Sequence, residues 1–241
     1  IDGRRWQQGA TELIAAGKAI DVPLLIGWND FDGSSLRYSP QQVIRNTAPE
    51  TLRAYATVAP LAESDLAYSL YTDLHSGAPA RWVAHQMERG APAYLYLFSY
   101  VFERESGKKR GAEHAYELPH VFDSLEKYLS PVQAALFLTD QDRAVSKLVH
   151  QCWVSFIKNG KPSCPGAPEW PAYTRATDQL MELNARPRVR TAYRAPQLDA
   201  QERAMPTFLE QQRQSVHNLV IYGLSSSGNF GANERETSAA Q

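Results

Sequence analysis

A chain of 241 residues can form one large domain or two small ones, and its 43 % hydrophobic and 10 % aromatic content is that of a globular protein with a sizeable core. The 25 basic and 26 acidic residues balance, which gives no electrostatic ground for a nucleic-acid or anionic-membrane partner. No apolar run approaches the roughly 18 residues of a membrane-spanning helix.

The chain opens Ile1-Asp2-Gly3, without Met, and reads as the start of a fragment. Residues 11–17 predict a short helix closed by Gly17. The run from Val22 to Gly27 is short, apolar and bounded by turn signals, as in a buried strand. It leads into a polar loop, Trp28-Asn-Asp-Phe-Asp-Gly-Ser34. Ser39-Pro40 starts a helix, with serine as cap and proline in the first turn. Residues 40–90 carry helical patterns broken by proline and glycine, the clearest being Arg81–Arg89, with Gly90 placed for a left-handed close.

Residues 94–101, Tyr-Leu-Tyr-Leu-Phe-Ser-Tyr-Val, predict a second buried strand, followed by a charged, glycine-bearing loop. Thr139 and Asp142 form a capping box in which Asp replaces the usual Glu. They open the strongest helix, with Val145, Leu148, Val149, Cys152, Trp153, Phe156 and Ile157 on one stripe at helical period. Arg143, Ser146, Lys147, His150 and Gln151 form its opposite, polar face, and Asn159-Gly160 ends it. Cys152 is expected as a buried thiol and Cys164 as a loop residue, a bridge between them being left open. Residues 180–184 and 188–193 predict late strands, and a last helix is expected over roughly 206–222. The Ser-, Gly-, Asn- and Glu-rich residues 223–241 are expected to be a disordered tail. Strand, helices, strand and long helix indicate an α/β architecture with a parallel sheet, whose further strands would come from outside the two clear ones.

The chemistry concentrates on two loops. Asp32 follows the first strand, and His114 follows the second, within Gly111-Ala-Glu-His-Ala-Tyr-Glu-Leu-Pro-His-Val-Phe122. A carboxylate can fix the tautomer of an imidazole and stabilise its protonated form. The imidazole can then act as general base towards a hydroxyl nucleophile. In α/β hydrolases the three groups run nucleophile, acid, histidine along the chain. The helical stretch between the two loops would be a lid or pocket wall. No Gly-x-Ser-x-Gly elbow occurs here. Ser34 and Ser35 lack that context, and Ser225–Ser227 lie in the expected tail. The plain alternative for Asp32 is a turn residue before Gly33, and Asp30 is the nearby alternative acid. His75, His85, His150 and His217 read as structural or surface residues, and His120, six residues after His114 in an apolar setting, as either packed or supporting the site. Trp28, Phe31 and Tyr38 suit either a pocket wall or core packing.

These segments resemble the C-terminal part of the type-B carboxylesterase family, which includes the cholinesterases and bacterial carboxylesterases. Ile1-Asp-Gly3 is similar to its Val-x-Asp-Gly stretch. Residues 22–34 resemble its Pro-hydrophobic-Gly-x-x-x-Asp-Glu-Gly segment. Tyr94–Tyr100 resembles its late core strand, and residues 111–122 its His-x-x-Glu-hydrophobic-x-x-Val-Phe motif. Trp153–Pro162 and Trp170-Pro-Ala-Tyr173 resemble the Trp-x-x-Phe-Ala-x-x-Gly-x-Pro signature and its sequel. The resemblance covers residues 1–184. It implies that residues 1–195 are the C-terminal part of an α/β-hydrolase domain, with 196–222 as a helical extension.

The resemblance further implies His114 as catalytic base, Asp32 as triad acid where the family has Glu, and Glu117 as a supporting residue near the histidine. The implied activity is carboxylic ester hydrolysis through an acyl-enzyme. It needs no metal or organic cofactor. The serine and oxyanion loop would be supplied by an N-terminal half of the same fold. Losing the serine from such a site costs on the order of 10⁶ in rate, so the chain alone is expected to be inactive. The alternative is a non-catalytic, cholinesterase-like adhesion or binding protein, which keeps the fold and lacks the serine.

Overall fold

The computed structural model describes residues 9–57, 61–127, 129–206 and 210. The chain divides into two units, residues 1–202 and 203–241, and the sheet and the candidate site lie in the first. In the second unit residues 203–206 and 210 are described, and they are helical.

The first unit is built on a four-stranded sheet in the order β1-β2-β3-β4. β1 (Leu24–Asn29) runs parallel to β2 (Ala93–Phe98), in register from Leu24↔Ala93 to Asn29↔Phe98. β3 (Gln179–Leu183) is parallel to β2, and β4 (Arg188–Thr191) is antiparallel to β3. β2 is therefore interior, which suits its near-continuous apolar sequence, while β1 lies at the edge of the sheet that the described residues form. The parallel sheet expected from the sequence is mixed, because a short Asn184–Pro187 connection returns β4 as a hairpin.

β1 and β2 are joined by α2 (Pro40–Asn46), α3 (Pro49–Ala56), α4 (Glu63–Thr72), a π-helical turn (Asp73–Gly77) and α5 (Ala78–Met87), preceded by the N-terminal α1 (Ala10–Ala15). Ser39 caps α2 as expected, its side chain accepting from Gln42 N. Gly90, expected in a left-handed close, has no positive φ. Its place is fixed instead by crowding, since a Cβ there would meet the Asp21 carboxylate, which accepts a hydrogen bond from Ala91 N.

The alternation of β2 feeds two layers. Tyr94, Tyr96 and Phe98 face α8 (Asp140–Asn159), where Tyr94 meets Phe156 and Tyr96 meets Trp153 edge-on. Val145, Val149, Cys152, Trp170, Met181 and Leu183 complete that core. Each large apolar side chain buried there contributes roughly 1.5–3 kcal/mol. Leu97 and its register partner Trp28 face the other way, and Trp28 packs beside Gly77 at the start of α5.

α8 matches its pattern with two exceptions. Ile157 is 76 % exposed although it lies on the apolar stripe, because the stripe outruns the sheet at the last turn. Ser146, on the polar face, is buried, because that face docks on the segment after β2. Ser146 Oγ donates to Asp123, and His150 Nδ1 pairs with the Val121 carbonyl of α6 (Leu118–Val121). Gly160 closes α8 in the left-handed conformation. At the other end Asp142 makes the expected capping box. Its Oδ2 accepts from Thr139, and its Oδ1 accepts from Tyr100 OH and Glu103 N, tying the helix start to the chain leaving β2. α7 (Pro131–Phe137) precedes α8 with its own Ser130 capping box.

Cys152 and Cys164 form a disulfide, so the buried thiol expected at Cys152 is corrected to a buried bridge. The turn at Gly160 folds the Pro-rich loop back on α8 and brings position 164 to the cysteine about two turns from the helix end. Residues 195–202 are helical, earlier than the helix expected from 206. They are held by partly buried ion pairs. Arg81 of α5 is bidentate to Asp178 and reaches Asp199 and Glu202, while Arg194 grips Asp73 of the π-helical turn. Residues 207–209 and 211–241, with the rest of the expected helix, the expected tail and His217, lie outside the described residues.

Two outcomes are expected. Thiol titration of the folded chain finds no free cysteine until a reductant is added, and Cys152→Ser with Cys164→Ser lowers stability by about 2–4 kcal/mol in denaturant unfolding. Gly27→Ala lowers the unfolding free energy by about 1–3 kcal/mol or more in denaturant titration, because its Cβ would run into the backbone carbonyl and ring of Tyr96 across the β1–β2 pair.

Candidate active site

The site forms at the carboxyl ends of β1 and β2. Parallel strands place these ends on one side, so the loops that follow them meet there. The meeting is zipped by backbone. Asp30 N donates to Phe98 O, Phe31 N donates to Ala112 O, and Phe31 pairs with Glu113 in an isolated parallel bridge. Ala112 N in turn donates to Asp30 Oδ1 at 2.7 Å.

Beyond the zipper the acid loop turns through a 3₁₀ segment, Asp32–Ser35. Gly33 N donates to Thr72 Oγ1 at 2.7 Å, and a Cβ on Gly33 would strike the Tyr68 carbonyl, so only glycine lets α4 press this close. Ser35 Oγ donates to the Asp32 carbonyl. The Asp32 carboxylate is thereby placed with 7 % of the residue exposed. Its Oδ2 accepts from Asn29 N at 3.1 Å, and its Oδ1 lies 2.9 Å from His114 Nδ1.

His114 approaches from the other loop. Its backbone N donates to Ser34 Oγ at 2.8 Å, and Ala115 after it takes a left-handed φ of 66°, which turns the chain into α6. The carboxylate opposite Nδ1 can only accept, so Nδ1 carries the proton and Nε2 is the basic nitrogen. The ring is 65 % exposed, and Nε2 is open to a reactant. An aspartate, one carbon shorter than glutamate, reaches the imidazole here because the 3₁₀ turn carries its backbone towards the histidine loop.

The structure brings Asp32, His114 and Glu117 to one place. Glu117 reaches the pair through Asn29 rather than through the imidazole. Its carboxylate accepts from Asn29 Nδ2, which also donates to the Glu113 carbonyl. Asp30, the alternative acid, faces the Ala112 amide rather than His114, and burial pushes its carboxyl up to about 6. Ser34 and Ser35 are spent on loop bonds. Trp28 is buried in the core against Tyr193, Phe31 sits edge-on to Tyr68, and Tyr38 is exposed.

The remaining described histidines are structural. His120 is fully buried among Phe98, Tyr100 and Phe102, its Nδ1 on the Tyr116 carbonyl, and burial pushes its imidazole down to about 4, so it is neutral near pH 7. His85 pairs with Tyr173 OH, and His75 stacks on Tyr71. Among the described residues no group of three or more His, Cys, Asp or Glu side chains is arranged to hold a metal ion, and no helix is long and apolar enough to cross a membrane. A cleft of about 920 Å³ between α1 and the end of α5 is remote from this chemistry, since neither Asp32 nor His114 lines it.

Asn29 and Thr72 were not singled out by sequence, and Ser34 was weighed there only as a nucleophile, not as a tie to the histidine loop. Their signal is tertiary, because each bonds across to a different loop or helix. The nearest local sign was that Asn29 and Ser34 flank the Asp30–Gly33 turn.

Comparison with known proteins agrees with this architecture. Residues 38–201 match the model of the Carboxylesterase family. The chain is 31 % identical over 197 residues to para-nitrobenzyl esterase of Bacillus subtilis (strain 168), covering 77 % of this chain and 39 % of that protein. It is 29 % identical over 247 residues to pyrethroid hydrolase Ces2a of Mus musculus, covering 89 % of this chain and 43 % of that one. A solved thermophilic PNB esterase superposes with a TM-score of 0.64 at 25 % identity, over 83 % of this chain and 42 % of its own. The chain thus spans about two fifths of the length of these relatives. The sheet with its helical layers is part of an α/β-hydrolase fold, and the chain belongs to the carboxylesterase family.

Proposed function

We propose that this chain carries the acid and the base of a serine carboxylesterase, Asp32 and His114, and acts with an N-terminal half of the same fold that supplies the serine and the oxyanion donors. The single observation that carries this reading is the 2.9 Å contact between His114 Nδ1 and the buried Asp32 carboxylate, with the opposite ring nitrogen facing outward. Membership of the carboxylesterase family, and relatives named as esterases, support carboxylic esters as the substrate class.

In this mechanism His114 Nε2 takes the proton from the serine hydroxyl as the oxygen attacks the ester carbonyl. Asp32 holds the ring by Nδ1 and stabilises the imidazolium as it forms. The imidazolium then gives its proton to the departing alkoxide, which leaves as the alcohol while the acyl group stays on the serine. Water, deprotonated by the same Nε2, attacks the acyl carbonyl, and the acyl–serine bond breaks to release the acid as the imidazolium returns its proton to the serine oxygen. The bond from Asn29 N keeps the second Asp32 oxygen satisfied, so the carboxylate is not free to turn away. No Gly-x-Ser-x-Gly stands in this sequence, and the chain by itself is accordingly inactive in this reading.

A fluorophosphonate probe on the assembled protein tests the proposal. Label is expected on a Gly-x-Ser-x-Gly peptide that co-purifies with this chain, and none on the chain alone. His114→Ala is expected to lower kcat/KM by on the order of 10⁴–10⁶, and Asp32→Asn by about 10⁴. Absence of label from intact material holding both halves would sink the esterase reading and leave the non-catalytic binding protein.

Asp30 gives a pH test that separates it from Asp32. Burial raises its carboxyl from the ordinary 3.8 to about 6, so the fold favours the protonated form. That contribution is full below pH 3.8 and is lost as pH rises through 6. Asp30→Asn is therefore expected to gain on the parent chain by on the order of 2 kcal/mol between pH 4 and pH 6.5, read from denaturation midpoints, while leaving the imidazole of His114 paired.

A further inference from the structure

We propose that Asn29 is a positioning residue for the Asp32–His114 pair, holding the acid through its backbone N–H and the histidine loop through its buried side chain. The proposal rests on the reading of Asp32 and His114 as catalytic acid and base. Asn29 is the last residue of β1 and is 2 % exposed. Its backbone N–H donates to Asp32 Oδ2 at 3.1 Å, the carboxylate oxygen that His114 does not use. Its side chain crosses to the other loop. Nδ2 donates to the carbonyl of Glu113, the residue before His114, at 2.7 Å, and to Glu117 Oε2, three residues after it, at 2.5 Å. One residue thus grips the acid by its carboxylate and brackets the base from both sides.

The chemistry of the acceptors fixes the amide. A backbone carbonyl and a carboxylate accept only, so the NH₂ of Asn29 must face them and the amide oxygen must face away. That oxygen is buried and has no hydrogen-bond partner among the described residues. A buried acceptor left unpaired is destabilising, and an apolar residue of similar size at this strand end would avoid the loss. Burial alone therefore does not account for an amide here. The two bonds into the histidine loop do, and they act on the geometry of a proton-transfer group, where a misplacement of about 1 Å can cost on the order of 10²-fold in rate. Ser34 Oγ, accepting from His114 N, is a second tie between the loops, but it lies on the turn rather than in the strand.

Nitrogen-15 NMR of the full chain labelled at histidine reads the consequence directly, through the tautomer and titration midpoint of His114. The parent chain is expected to hold His114 with Nδ1 protonated. Asn29→Ala is expected to relax it towards the tautomer mixture of free imidazole. Asn29→Asp keeps the size of the side chain, but sets a carboxylate against the Glu113 carbonyl and Glu117, and is expected to disturb His114 at least as much. Adding Glu117→Gln to Asn29→Asp restores a donor between positions 29 and 117, though not to the Glu113 carbonyl, and is expected to return the His114 signals part of the way to those of the parent. This isosteric pair keeps the test decisive if Asn29→Ala does not fold.

Two results overturn the proposal. One is parent-like His114 signals in folded Asn29→Ala or Asn29→Asp while Asp32→Asn shifts them, which leaves Asn29 as packing and the acid–base pair intact. The other is loss in Asn29→Asp with no recovery in the double variant. If Asp32→Asn itself leaves His114 unmoved, the acid–base reading fails, a result distinct from either.

Discussion

The parallel pairing of β1 with β2 is the constraint on which everything else depends. Six register pairs, from Leu24↔Ala93 to Asn29↔Phe98, bring two segments separated by a long helical excursion to end side by side. Backbone bonding then runs past the strand ends, from Asp30 to Phe98 and from Phe31 to Ala112, so the loops leave the sheet already joined. An imidazole and a carboxylate on these loops meet with little further ordering cost. Loops that hung free would have to surrender backbone entropy of about 1–2 kcal/mol per residue to make the same contact.

The rest of the molecule braces that junction from outside. α4 presses on the acid loop through Thr72 and the glycine at 33. On the other side Asp142, fully buried, joins the start of α8 to the chain leaving β2 through Tyr100 OH and Glu103 N. Its carboxyl lies below the usual range. Burial alone would raise it, and the hydrogen bonds from Thr139, Tyr100 and Glu103 outweigh that. Replacing the usual capping glutamate by aspartate shortens the side chain, and the cap becomes a clasp between helix and loop rather than a local feature of the helix.

What was legible in the sequence follows the range of the forces involved. The period of α8 and its Thr139 and Gly160 ends depend on neighbours within a few residues and appear where expected, whereas β1 begins and ends two residues later than its apolar run, taking in Trp28 and Asn29, and β2 stops at Phe98 rather than at residue 101. The two-loop order of Asp32 and His114 was legible because the motifs around them are local. Three features were not. The Cys152–Cys164 bridge needs the turn at Gly160 to bring the loop back along the helix. Gly90 looked like a helix close, whereas its constraint comes from Asp21, 69 residues earlier in the chain. Asn29 read as part of a polar loop, and its side-chain partners lie more than 80 residues away. Ile157 shows the converse, a local pattern that continues past the surface it serves.

The glycine at 27 has a meaning beyond its effect on stability. Any other residue carried opposite Tyr96 by a slip of the strand would bring a Cβ into a carbonyl that leaves no room for one. A one-residue slip would also move the loop ends by about 3.3 Å and reverse every side chain of β1. That displacement exceeds the 2.9 Å that separates Asp32 from His114. Gly27 therefore works as an indexing notch. By admitting only one alignment of an edge strand, it sets the coordinates at which two distant loops meet.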